Sequence, residues 1–238
     1  MRDDGLTHAS EPHEDGYVDE APMPSTDEGG PAGPVRRVSA GLLAAAALAV
    51  ATAGAGGWAI GHAGSSPSST SVEAGFARDM TTHHDQAVQM AMIIHAKTTD
   101  PDIRQLAYDI ATTQAHQSGQ MMGWLRQWGL DATGDEPRMA WMARAGHDHG
   151  SSEGLQADGR MPGMASNAEL KRLQTLTGKA ADVHFLELMI PHHEAGAPMA
   201  KAAVAGSDDP AVDDLARSIV ASQTAEIVTM QEMLAERQ

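Results

Sequence analysis

The chain contains no cysteine. That absence excludes disulfides, a thiolate metal ligand, a catalytic thiol and a lipid-anchored cysteine, and leaves imidazole and thioether as the soft ligands of an oxidising compartment. Aromatic side chains are scarce, with 2 Phe and 2 Tyr in 238 residues. Basic residues are few as well: 16 Lys and Arg stand against 32 Asp and Glu, for a formal charge of -16. A nucleic-acid surface needs a basic stripe, and none is visible. The acidic surplus is compatible with a surface that attracts cations and equally with one that only keeps the protein soluble. No segment shows the alternation of a strand, which points to an all-α chain.

Methionine and histidine are abundant instead, 15 and 12 residues, most of them after residue 75. Their placement is repetitive. Phe76, Met80, His83, His84, Met90 and Ala91 recur 109 positions later as Phe185, Met189, His192, His193, Met199 and Ala200. The register continues through Asp100-Pro101 and Asp209-Pro210, Gln114 and Gln223, and Met121 and Met230. This is an internal duplication of a two-helix unit. Two copies are too few for a solenoid and suffice for a pseudo-twofold four-helix bundle.

The bundle is expected over residues 72–238, with a first repeat at 72–129, a connector at 130–178 and a second repeat at 179–238. Before it, residues 1–35 are acidic, rich in Pro and Gly, and read as a disordered tail. Residues 38–60 carry no charge and follow Arg36-Arg37. Twenty-three residues at about 1.5 Å each are long enough for a hydrocarbon core of roughly 30 Å. Residues 36–62 are therefore expected to form a single transmembrane signal anchor, and 63–71 a flexible linker. The arginine pair places the tail in the cytoplasm and the bundle outside the cell membrane. An Ala-Gly-Ala stretch at 53–55 offers signal peptidase a site, so cleavage is the alternative.

The helices are bounded by readable signals. Asp100-Pro101 and Asp209-Pro210 each supply an N-cap and a first helical proline. Gly129 is placed to end the second helix, Gly206 the third, and Ser166 with Glu169 forms a capping-box pattern for a short helix in the connector.

At about 100° per residue the two histidines of each pair straddle the centre of an apolar face that includes Met80 or Met189. The facing stripes of the second and fourth long helices carry Gln114, Gln117 and Met121, and Gln223, Glu226 and Met230. Buried polar groups need partners, since an unsatisfied one costs on the order of 1–3 kcal/mol. Two readings meet that need. In one, the histidines hydrogen-bond the glutamines and Glu226 in a metal-free network that fixes helix register, and the domain is an interaction module. In the other, His83, His84, His192 and His193 bind a metal together with Met80, Met90, Met121, Met189, Met199 and Met230, and Gln114, Gln117, Gln223 and Glu226 orient the ligands. Mixed imidazole and thioether ligands suit copper, above all Cu(I); zinc fits through the histidines alone. In the connector, His147, His149, Met161 and Met164 are candidates for a second, exposed site. A di-metal oxidase of the bundle type uses Glu-x-x-His motifs, and none precedes these histidines, so no enzyme is expected.

The Phe-x-x-x-Met-x-x-His-His pattern with a following Met-Ala, the Met161-Pro162-Gly163-Met164 run and the late Gln and Met positions resemble the family called domain of unknown function 305. The resemblance covers about residues 72–238. It implies an exported, duplicated, ferritin-like bundle, and some members of that family bind copper. The expected function is a membrane-anchored metal-binding protein that sequesters copper or delivers it to a partner the sequence does not identify. Two departures from the family pattern are expected to matter: Pro198 should kink or loosen the third long helix, and Gln117 stands where the second copy has Glu226.

Overall fold

The computed structural model describes residues 66–146 and 155–238, and these are helical with no strand among them. Six helices follow in order: α1 (Val72–His95), α2 (Pro101–Gln127), α3 (Ala140–Arg144), α4 (Asn167–Thr175), α5 (Gly178–Gly206) and α6 (Pro210–Ala235). The acidic tail, the candidate span 38–60, His147 and His149 lie outside the described residues. Among the described residues no helix is long and apolar enough to cross a membrane.

The repeat is visible in the caps. Asp100 accepts hydrogen bonds from the backbone N–H groups of Asp102 and Ile103, and Asp209 accepts from Ala211 and Val212. Each N-cap thus satisfies donors that the first helical turn leaves without partners. Ser71 caps α1, and the Ser166–Glu169 box caps α4 in both directions. Gly129 takes φ +71 after α2, with its neighbour Leu130 donating back to the Leu125 carbonyl, the bond that closes a glycine-ended helix. Gly206 differs from expectation. It is the last residue of α5, and a side chain there would stand 2.7 Å from Ala145, so close approach is what demands glycine.

α1 packs along α2, α5 packs along α6, and the two hairpins meet chiefly through α1 against α5. These central helices run antiparallel. Val72 lies beside Gly206 and Glu73 accepts from the Asp208 N–H, while His83 meets His192 midway. The core divides accordingly into two apolar layers. One holds Phe76, Met80, Met121 and Met199; the other holds Phe185, Met189, Met230 and Met90. Repeat-related residues exchange layers, as a twofold relation between the halves requires.

Pro198 does not end the helix: α5 stays helical through both Pro191 and Pro198. Both rings are solvent-exposed, and the carbonyls that lose a donor belong to Glu187 and Glu194, which are exposed too. Water can satisfy them there, while buried Met189, Ala197, Met199 and Ala200 hold the opposite face in register.

The connector is less irregular than its composition suggests. α3 places Trp141 over Gly75 and edge-on to Phe76, 5.9 Å between ring centroids. Asp79 accepts from the Trp141 indole N–H at 2.9 Å and from the Met139 N–H at 2.7 Å. Burial, the dominant cause, raises the Asp79 pKa against these bonds. The Met161–Met164 turn then lies against α5, where a side chain on Gly163 would come within 2.4 Å of the Pro191 carbonyl oxygen.

Candidate metal centre

The antiparallel pairing of α1 and α5 brings all four paired histidines to the middle of the molecule, each fully buried. His83 and His192, which are equivalent in the repeat, stack on each other with centroids 3.8 Å apart and planes tilted by 35°. The second histidine of each pair turns towards its own hairpin partner. His84 Nε2 lies 2.9 Å from the Gln117 amide oxygen, and His193 Nε2 lies 2.8 Å from a Glu226 carboxylate oxygen. Gln114 reaches His193 from α2 at 3.4 Å. His83 Nε2 stands 3.2 Å from the Pro162 carbonyl oxygen, which ties the connector turn to the centre.

Five ring nitrogens have no partner among the described residues: Nδ1 of His83, His84 and His193, and both nitrogens of His192. So do both amide atoms of buried Gln223, which a side chain on Gly196 would meet at 2.6 Å. Buried polar atoms are normally paired, so this concentration at one point is chemically informative. Burial holds the imidazoles of His83, His84 and His192 neutral. It depresses His83 to about 4, against a weak opposing bond from Pro162, and His84 to about 3, with His83 adding repulsion. Burial also lowers His192 well below the usual value, with the other three histidines contributing. A neutral imidazole offers a lone pair, which is the form a metal takes up.

The candidate methionines divide between the two apolar layers, Met80, Met121 and Met199 in one and Met90, Met189 and Met230 in the other, all fully buried. Among the described residues no group of three or more His, Asp or Glu side chains is gathered so as to hold an ion. The expected second site is corrected in part. Met161 is fully buried in the same layer as Met80, and Met164 is half-buried against it, so neither stands as an exposed ligand. Sequence reading placed one carboxylate in the interior. The structure buries Glu73, Asp79 and Asp182 as well, while the Glu226 side chain keeps 22% of its surface exposed. Asp79 had no signal in the sequence, because its donors come from 60 residues away.

The family model described as "Domain of unknown function (DUF305)" matches residues 73–234. The chain belongs to the DUF305 family. A crystal structure of a DUF305 protein from Streptomyces coelicolor is 46% identical, with a TM-score of 0.64, covering 71% of this chain and 96% of that one. A DUF305 fragment from Deinococcus radiodurans is 32% identical, with a TM-score of 0.55 and coverage of 69% and 96%. CopM in its Cu(II)-bound form is 26% identical, with a TM-score of 0.52 and coverage of 71% and 98%. No curated protein matches the chain in sequence.

Proposed function

We propose that this DUF305 chain is a copper-binding protein, with its four long helices forming a pseudo-twofold bundle outside the cytoplasm and residues 38–60 anchoring it. Its role is to hold copper or hand it on; no step of catalysis is assigned to it. The observation that carries the reading is the burial of His83, His84, His192 and His193 where α1 meets α5, with five of their ring nitrogens unpartnered among the described residues. His83, His84, His192 and His193 are the imidazole ligands, and the buried methionines of the two apolar layers are the thioether donors. Because no three imidazoles or carboxylates are gathered among the described residues, low-coordinate binding fits best, and thioether participation favours Cu(I) over zinc. The Cu(II)-bound form of CopM supports copper as the metal and leaves its oxidation state to the titration.

The test is anaerobic titration of the intact chain with Cu(I) against a chromophoric chelator, beside a variant with His83, His84, His192 and His193 all changed to Ala. Cu(II) and Zn(II) are titrated in parallel. Competition by the wild type at nanomolar affinity or tighter, lost in a variant that remains helical, is the expected result. A wild type that fails to compete leaves the histidines as a hydrogen-bonded network in an interaction module.

A further inference from the structure

The duplicated halves offer their second histidines to different chemistry. Gln117 and Glu226 occupy equivalent positions, yet His84 meets an amide and His193 a carboxylate, at nearly the same distance. A carboxylate can only accept a hydrogen bond, so the ring hydrogen of a neutral His193 sits on Nε2 and its lone pair on Nδ1. That Nδ1 is buried and has no partner. Gln117 imposes no such choice, because an amide turned over presents a donor where it had an acceptor. The assignment makes a demand on Gln114. Its amide nitrogen lies 3.4 Å from His193 Nε2, donor against donor, so a hydrogen on Nε2 requires that amide to be turned over, which brings its otherwise unpartnered oxygen to the ring N–H.

Reach differs as well. The Glu226 side chain is 22% exposed, whereas Gln117 is buried. Glu226 thus touches solvent on one side and a fully buried imidazole on the other. Incoming cations meet an anionic group at this point of the second half, and the matching point of the first half offers only a neutral amide.

Resting on the copper reading above, we propose that the second half loads first: Glu226 fixes Nδ1 of His193 as the donor atom for the first ion and conducts that ion from the surface, and His84 engages later. Partners of this kind orient a ligand and raise its basicity, and losing one typically lowers metal affinity by about 10-fold to 100-fold.

Imidazole nitrogen NMR of the intact chain tests this. In the metal-free wild type, His193 should carry its hydrogen on Nε2; a hydrogen on Nδ1 overturns the proposal without any variant. Silver(I), a redox-inert probe, is then added below one equivalent. The His193 signals should move before those of His84, and simultaneous or reversed movement overturns the order. Glu226→Gln should abolish the order and weaken the first binding event by about tenfold or more. The exchanged variant, Gln117→Glu with Glu226→Gln, should load at His84 first. Persistence of His193-first loading in that variant refutes the role of the carboxylate. If neither Ag(I) nor Cu(I) moves any imidazole signal, the copper reading falls and the loading order falls with it, whereas ordered tautomers with unordered loading sink the loading order alone.

Discussion

Acidification should unfold the metal-free protein well before its carboxylates titrate. His83, His84 and His192 all have pKa values depressed by burial, to about 4, to about 3 and to well below the usual value. In the unfolded chain they return to about 6.5. Below that value the unfolded state binds protons that the folded state refuses, so stability is fully present above about pH 7 and declines as pH falls towards the folded values. Between pH 7 and 5.5 His83 and His84 each forfeit about 1.2 kcal/mol, about 2.5 kcal/mol together, and His192 shifts in the same direction. With a urea slope of roughly 2 kcal/mol per molar, the midpoint should fall by about 1 M or more. Glu73, Asp100 and Glu169 have lowered pKa values and titrate below the window, while Asp79, raised by burial, works in the opposite direction. Urea melts of the intact chain with chelator present, at both pH values, measure the shift. A midpoint that moves by less than about 0.5 M refutes the account of buried neutral imidazoles, and a triple His→Asn variant should show the flattened response in any case.

Two packing predictions follow from distances. Gly196→Ala places a methyl 2.6 Å from the Gln223 amide oxygen and should cost about 1–3 kcal/mol in a urea melt; a cost near zero would mean that Gln223 moves freely. Asp79→Ala strands the Trp141 indole N–H and the Met139 N–H and should destabilise by about 2–4 kcal/mol, with a change in Trp fluorescence, whereas Asp158→Ala at an exposed ion pair should be close to neutral; equal effects would refute the reading of Asp79 as the tie that docks the connector.

The helical framework was legible because its signals are local or periodic. A capping aspartate followed by proline, a Ser–Glu box and a left-handed glycine act within four residues of where they stand, so α2, α4 and α6 start where the sequence says. The repeat made the histidine pairs conspicuous, and the apolar periodicity put them on inward faces. What stayed hidden depends on distant partners. α3 is five residues long in a Gly-rich and Met-rich run, too short for periodicity to register, and it exists because Trp141 finds Gly75 and Asp79. The stacking of His83 on His192 depends on the antiparallel approach of α1 and α5, which a helical wheel of either helix cannot express. Pro198 sits inside α5 without ending it, because the exposed face on which the ring falls lets water take the freed carbonyl.

His83 resting on His192 means that neither hairpin owns the centre; each contributes half of it across a twofold axis. A chain of one hairpin could build the same centre only by pairing with a second copy of itself, at a concentration high enough to do so. Both copies would then carry identical residues at every position, with the same group facing each outer histidine. Covalent joining removes both restrictions. Assembly becomes independent of concentration, and symmetry ceases to bind the sequence, so that Gln117 can differ from Glu226 and Ala87 from Gly196. The duplicated chain can therefore do what a symmetric dimer cannot: treat its two sides as a first and a second.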